Sequence, residues 1–312
     1  MRLLLRIDPR TRAALWISLW ALVIHLVPLF LPRKVPAVEL DLARLLPEGQ
    51  HRIRFLTPLR ENPQSRGEHL RAAAELVLDA STREARGFLL EARRRDPGAL
   101  ENTLLEARIC HAEGDAPCVT RALAEARGAS PKDPRPELLD SELREMEGDS
   151  PGALLALERA LGKAPGDASL RLRYAHALGA AGRQSDADAA LDALAASLPR
   201  HRLLLERALL RLSSDRNEEA RGLLQEAARV DGGNAAVHYY LGVALYRLEQ
   251  WGRAEEELRL SDRLDPTDFR SLALLCALQR DAGRGDDASI SRAMLERRFA
   301  ARHAEFDAAC PP

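Results

Sequence analysis

The chain has 312 residues, of which 46% are hydrophobic, 30% charged and 4% aromatic, and its formal net charge at pH 7 is −1. Because the charges nearly cancel and aromatic residues are few, the composition argues against a nucleic-acid-binding protein. The eight histidines are scattered, and no HExxH, GxSxG or glycine-rich phosphate loop occurs, so we predict neither an enzyme nor a bound cofactor. Alanine, leucine, arginine and glutamate dominate, which favours an almost wholly helical chain.

An apolar segment lies close to the N-terminus. Residues 13–31 carry no formal charge, and at about 1.5 Å per residue a helix of this length reaches across a hydrocarbon core of about 30 Å. This predicts a transmembrane signal anchor. The arginine excess of the basic flank at 1–12 favours an N-terminus in the cytoplasm and the rest of the chain in the periplasm. The alternative is a signal peptide cleaved near Ala37, which would release a soluble protein.

Residues 32–65 contain prolines at positions 32, 36, 47, 58 and 63, which prevent one continuous helix. We expect a linker here. It holds two short pieces with apolar periodicity, at 38–46 and 53–59. The sequence leaves open whether they dock on the domain that follows or lie at the membrane surface.

From residue 66 onward, similar residues recur about every 34 positions. In six successive copies an alanine or valine is followed four positions later by leucine: Ala85 with Leu89, Val119 with Leu123, Ala153 with Leu157, Ala187 with Leu191, Ala220 with Leu224, and Ala254 with Leu258. A fixed period of this length indicates a stacked helical array. The period predicts copies at 66–99, 100–133, 134–167, 168–200, 201–234 and 235–268, and a degenerate copy at 269–302.

A second position in each copy is always small: Ala73, Ala107, Ser141, Ala175, Ala208, Gly242 and Cys276. In the clearest copy it is preceded by Leu241, and Pro266 closes the unit. These features resemble the tetratricopeptide repeat (TPR). The resemblance implies an all-α fold, a right-handed superhelix of about seven helical hairpins, after the transmembrane helix. Since Arg292 replaces leucine in the last copy, we expect a polar cap at 286–302 and a loose tail at 303–312.

The resemblance also implies that the first helix of each copy lines a concave groove for a protein or peptide partner. Positions that face such a groove carry polar residues in copies two to four, among them Arg108, His111 and His176. In copies five and six they are apolar: Leu205, Leu209, Leu212, Tyr239, Val243 and Tyr246. An exposed apolar patch usually marks a binding site, here for an extended or helical peptide. The competing interpretation is that these residues pack between repeats.

Cys110 and Cys118 fall on either side of the predicted turn at 114–115. Antiparallel helices bring such positions together, so the pair is either a disulfide or two small buried thiols, depending on the compartment. No CxxC motif or Cys/His cluster occurs, so we predict no metal site.

These features together predict a non-catalytic, membrane-tethered TPR scaffold or adaptor. The arrangement resembles bacterial inner-membrane proteins that serve envelope assembly, secretion, or polysaccharide or pilus export. Two alternatives remain: a soluble periplasmic adaptor released by signal cleavage, and a cytoplasm-facing regulator with reduced thiols. The sequence does not indicate whether the array self-associates.

Overall fold

A computed structural model describes residues 35–311. The predicted transmembrane segment at 13–31 and its basic flank lie outside these residues. Within them, no helix has both the length and the hydrophobicity that a bilayer crossing requires. All regular secondary structure of residues 35–311 is helical, which confirms the all-α prediction for this part of the chain. The helices pair in antiparallel fashion, as is typical of a TPR solenoid.

The chain divides into two compact units between Pro131 and Lys132. The helices of the first unit are α1 (Pro36–Leu45), α2 (Gln50–Leu56), a 3-10 turn (Thr57–Arg60), α3 (Gly67–Leu78), α4 (Thr82–Arg95), α5 (Leu100–Ala112) and α6 (Ala116–Ala129). Helices α3 and α4 form the first hairpin, and α5 and α6 form the second.

The second unit contains five further hairpins, which we number third to seventh. Their helices are α7 (Arg135–Met146) with α8 (Ser150–Lys163), α9 (Ala168–Ala180) with α10 (Gln184–Asp192), α11 (Arg200–Ser213) with α12 (Asn217–Val230), α13 (Ala235–Arg247) with α14 (Trp251–Leu264), and α15 (Phe269–Asp281) with α16 (Gly285–Arg298). A 3-10 turn (Ala300–Arg302) and the short α17 (His303–Phe306) follow.

In the second to seventh hairpins, the turn between the paired helices contains a residue with positive φ. Gly114 has φ 73° and ends α5, and the backbone N–H of Asp115 donates to the carbonyl of Cys110 at 2.9 Å. This is the Schellman pattern, which satisfies carbonyls at the end of a helix. The Asp115 carboxylate then accepts the N–H of Cys118 and caps α6. The Gly-Asp sequence thus ends one helix and starts the next.

The small position of each copy lies where two paired helices approach closely. A Cβ atom on Gly242 would lie 2.7 Å from the side chain of Leu258, a distance that side chains essentially never show. The equivalent residues Ala73, Ala107, Ala175 and Ala208 have no exposed surface. Steric contact between helices therefore explains why these positions are small.

Residues 36–60 pack on the first hairpin. Leu40, Ile53, Leu56 and Leu59 are buried in one cluster with Leu70 of α3. The sequence left open whether the apolar pieces at 38–46 and 53–59 dock on the following domain or lie at the membrane surface. The structure shows them docked on the first hairpin. This stretch is therefore part of the folded unit, and the expectation of a linker was wrong for it, because both pieces bury their apolar side chains.

The C-terminal segment differs from the predicted loose tail. Phe306 and Cys310 have no exposed surface, and Cys310 is joined to Cys276 of α15 by a disulfide. Arg292 donates to the carbonyl of Cys310 and pairs with Asp307 at 2.7 Å, and its guanidinium lies 5.0 Å from the centre of the Phe306 ring. Arg292 therefore anchors this segment on α16, and the prediction that α16 would be a solvated polar cap was wrong at this position.

Candidate functional site

Four of the predicted apolar groove residues on α11 and α13 are only half-buried: Leu209, Tyr239, Val243 and Tyr246. We call them the apolar face. Leu205 and Leu212 were predicted beside them, but they are 3% and 6% exposed and belong to the core of the unit. The packing interpretation therefore applies to these two leucines, while the other four retain surface that a partner can contact.

Two contacts fix how α15 lies beside the apolar face. The guanidinium of Arg270 lies 4.9 Å from the centre of the Tyr239 ring, a cation–π contact. At the other end of α15, Asp281 accepts a hydrogen bond from the Tyr246 hydroxyl. Both tyrosine rings are thus held in place before any partner arrives, which lowers the entropy that binding must remove.

The pKa values of the groups in both contacts are shifted by their surroundings. Arg270 donates to Asp268 from Nε at 2.9 Å and from Nη2 at 2.6 Å, and this pairing lowers the pKa of Asp268 and raises that of Arg270. The hydrogen bond to Asp281 raises the pKa of Tyr246. Burial raises the pKa of Tyr239. The tyrosines accordingly stay neutral at physiological pH, and Arg270 stays charged.

His176, which the sequence placed on the polar part of the groove, belongs to a three-residue cluster. Its Nε2 lies 2.9 Å from Glu206, and the Nε of Arg202 lies 2.7 Å from the other oxygen of the same carboxylate. Burial alone would raise the pKa of Glu206, but the hydrogen bond from His176 and the charge of Arg202 outweigh it, and the pKa is lowered. Glu206 is thus a buried carboxylate held ionised between two basic side chains.

Sequence reasoning did not select Glu206. The residue is 2% exposed as a side chain, and a single glutamate in a helix rich in arginine gives no sign that it will be buried. The signal that was available is the spacing: Glu206 lies four residues after Arg202, which places the two on one helix face.

Arg108 and His111 lie on α5 in the first unit, where Arg108 is exposed and His111 half-buried. The structure therefore assigns them to a different unit from the apolar face.

The structure joins Cys110 to Cys118 by a disulfide across the turn between α5 and α6, and both residues are buried. Their sulfur atoms lie near the Glu106 carboxylate in an arrangement that could hold a metal ion. In the structure the sulfurs are bonded to each other and Glu106 pairs with Arg93, so the group offers no thiolate ligand.

Residues 211–278 match the family model of the tetratricopeptide repeat. The matched stretch begins near the end of α11 and includes most of the apolar face together with Arg270. No curated protein matches the sequence.

Solved structures resemble the fold. Yeast Tom70 aligns with a TM-score of 0.56 at 13% identity, over 83% of this chain and 58% of that one. PilW, a type IV pilus biogenesis factor, aligns with a TM-score of 0.47 at 16% identity, over 64% and 94%. PilF of Pseudomonas aeruginosa aligns with a TM-score of 0.36 at 15% identity, over 88% and 99%. At 13% identity, the likeness to Tom70 is one of fold.

Proposed function

We propose that this TPR protein is a non-catalytic scaffold that binds a peptide segment of a partner protein on the apolar face. The observation that carries the proposal is that Leu209, Tyr239, Val243 and Tyr246 stay half-buried on first helices. At the repeat position of Leu209 and Val243, the other copies carry alanine or a polar residue. Tyrosine and arginine are the side chains that most often dominate binding energy at interfaces. The rigid Tyr239–Arg270 contact supplies both.

We further propose where the protein is located. Residues 13–31 would anchor the chain in a bacterial inner membrane, with the repeats in the periplasm. The disulfides Cys110–Cys118 and Cys276–Cys310 support this, since disulfides persist in oxidising compartments such as the periplasm. Tethering raises the effective concentration of the scaffold for membrane-bound partners. Such a protein would serve envelope assembly, secretion, or polysaccharide or pilus export. A soluble adaptor after signal cleavage is the alternative.

Thiol labelling in cells tests the compartment. We expect a maleimide added to protein denatured without reductant to leave all four cysteines unmodified, because each is in a disulfide in the structure. Reduction before labelling should modify all four. Full labelling without reduction would instead place the repeats in the cytoplasm, as the alternative of a cytoplasm-facing regulator requires.

Capture of partners tests the binding face. We expect the double substitution Leu209→Ser and Tyr246→Ser to weaken partner binding by about tenfold or more, since each contact removed from the centre of an interface costs about 1–2 kcal/mol. Crosslinking in cells followed by purification of the tagged protein measures the loss. The matched control is Leu155→Ser, which changes an exposed leucine on α8 and should leave capture intact.

The helical circular dichroism of the double variant decides between the two interpretations of the face. A folded variant that no longer captures its partner supports the groove. A variant that loses helicity shows that Leu209 and Tyr246 serve packing between repeats, and a folded variant that captures normally moves the site elsewhere.

A further inference from the structure

Helix α1 has two apolar faces. One face carries Leu40 and Ala43, which are buried in the cluster of the first hairpin. The other carries Val38, Leu42 and Leu45, which are 54%, 49% and 82% exposed. At about 100° per residue, these three side chains lie within about 60° of one another on the helix and point away from the buried face. We call them the outer stripe.

Docking on the first hairpin does not require an outer stripe. Helix α2 docks on the same hairpin and buries Ile53 and Leu56, but its exposed positions are polar: Gln50, His51 and Arg54. Of the eleven large hydrophobic side chains that are exposed within residues 35–311, four lie at positions 35–45, and the other seven are spread over the rest. Exposed apolar surface is thus concentrated on α1, and a concentration of this kind usually marks an interaction site.

The outer stripe is close in sequence to the predicted membrane anchor. Four residues, 32–35, separate the anchor at 13–31 from the first residue of α1. A chain extends by at most about 3.6 Å per residue, so these four residues span no more than about 15 Å. The headgroup layer on each side of a bilayer is itself about 5–8 Å thick. With the anchor in place, α1 therefore begins at or near the bilayer surface.

The charges around the outer stripe suit a layer of lipid headgroups. Arg33 and Lys34 directly precede α1 in the sequence. Asp41 is the one exposed carboxylate of α1, and it pairs with Arg44 at 2.9 Å, which reduces its repulsion from anionic lipids. Helices that lie on a bilayer combine an apolar face with nearby cations that attract anionic headgroups.

We propose that the outer stripe lies on the bilayer surface, with Val38, Leu42 and Leu45 inserted among the headgroups and the upper acyl chains. Because Leu45 lies about 10 Å along the helix from Val38, contact of all three side chains requires α1 to lie along the surface. The buried face of α1 then holds the first hairpin in a fixed orientation to the membrane. The inference rests on the proposed location, since it requires the anchor at 13–31.

Fluorescence quenching by lipids tests this contact. All four native cysteines are in disulfides, so a single added cysteine can be labelled with an environment-sensitive dye without reduction. The dye is attached to Leu45→Cys in the full chain, in lipid discs of phosphatidylethanolamine and phosphatidylglycerol that hold one copy each. We expect lipids with a quencher on the upper acyl chain to reduce the fluorescence at position 45.

Ala37→Cys is the matched control on the same helix. Ala37 is exposed, lies about 100° around the helix from Val38, and is nearer to the anchor in sequence than Leu45. We expect less quenching at position 37 than at position 45, because the face of the helix and not its closeness to the anchor decides the contact. Equal quenching at the two positions, or stronger quenching at position 37, would overturn the inference.

Substitutions within the outer stripe test its side chains. We expect Val38→Ser with Leu42→Ser to reduce the quenching at position 45 and to leave helicity unchanged, since both side chains are exposed. The control is Leu90→Ser with Leu155→Ser, which changes two exposed leucines of α4 and α8 and should leave the quenching intact. An equal loss in both pairs, or no loss in either, would contradict insertion of the stripe.

Two further results separate this inference from its alternatives. Alkaline extraction of cell membranes tests the anchor by itself. A chain that stays in the membrane but is quenched equally at positions 45 and 37 leaves the anchor standing and overturns the lipid contact, whereas a chain that alkali releases contradicts both. If the dye at position 45 responds only in discs that hold two copies, the outer stripes of two chains pair with each other, and lipid is not the occupant.

Discussion

Replacing Phe306 with alanine is expected to expose the last hairpin to hydrogen exchange while the hairpins of the first unit stay protected. The Phe306 ring is fully buried, lies 6.3 Å from Phe269, and is covered by Arg292. Truncating a buried phenylalanine to alanine costs about 3–5 kcal/mol. In a repeat array each unit contacts only its neighbours, so the loss should stay near α15 and α16.

Hydrogen-exchange mass spectrometry measures this loss segment by segment. The disulfide between Cys276 and Cys310 spans 34 positions and stabilises the closed segment by about 4 kcal/mol. The effect should therefore grow when a reductant is present. Ile290→Ala on α16 is the control, because Ile290 is 62% exposed and its loss should change little. Unchanged protection of α15 and α16 in reduced Phe306→Ala would show that the C-terminal segment does not hold the array.

Replacing Gly242 with leucine is expected to lower the melting temperature through overpacking of about 1–3 kcal/mol. Even a Cβ atom at this position would lie 2.7 Å from Leu258, and the carbonyl of Ala254 lies 3.5 Å away. A leucine would therefore push α13 from α14 and disturb the neighbouring apolar face. Thermal unfolding followed by circular dichroism measures the effect.

Gly222 on α12 provides the matched control. A Cβ atom there would meet nothing within 4 Å, so Gly222→Leu should raise stability by up to about 1 kcal/mol, because glycine is a poor helix residue. Opposite signs for the two substitutions are the expected result. A Gly242→Leu protein that melts at or above the wild-type temperature would contradict the predicted contact between the helices.

The sequence was most informative where a contact repeats. The small residues from Ala73 to Cys276 recur because two paired helices approach closely at that position. This repetition makes the fold predictable from the sequence. Contacts that occur once leave no such pattern. Phe306 and Cys310 bury a segment that looked like a tail, because one aromatic ring and one disulfide suffice to hold it.

The candidate site was partly predictable for the same reason. Leu205, Leu209 and Leu212 have the same residue type on the same helix, so their sequence alone could not separate core from surface. Packing separates them, since Leu209 alone remains half-buried. The contact of Tyr239 with Arg270 joins residues of successive hairpins and depends on how those hairpins stack, which a local pattern does not encode.

The most direct test of the scaffold is photo-crosslinking in living cells from two valine positions. A photoreactive residue replaces Val243 on the apolar face in one protein, and Val230, which is 48% exposed at the end of α12, in the other. We predict that position 243 forms a discrete adduct with a partner protein and that position 230 does not. Adducts of the same partner from position 230 alone, or equally from both positions, would contradict a binding site on the apolar face.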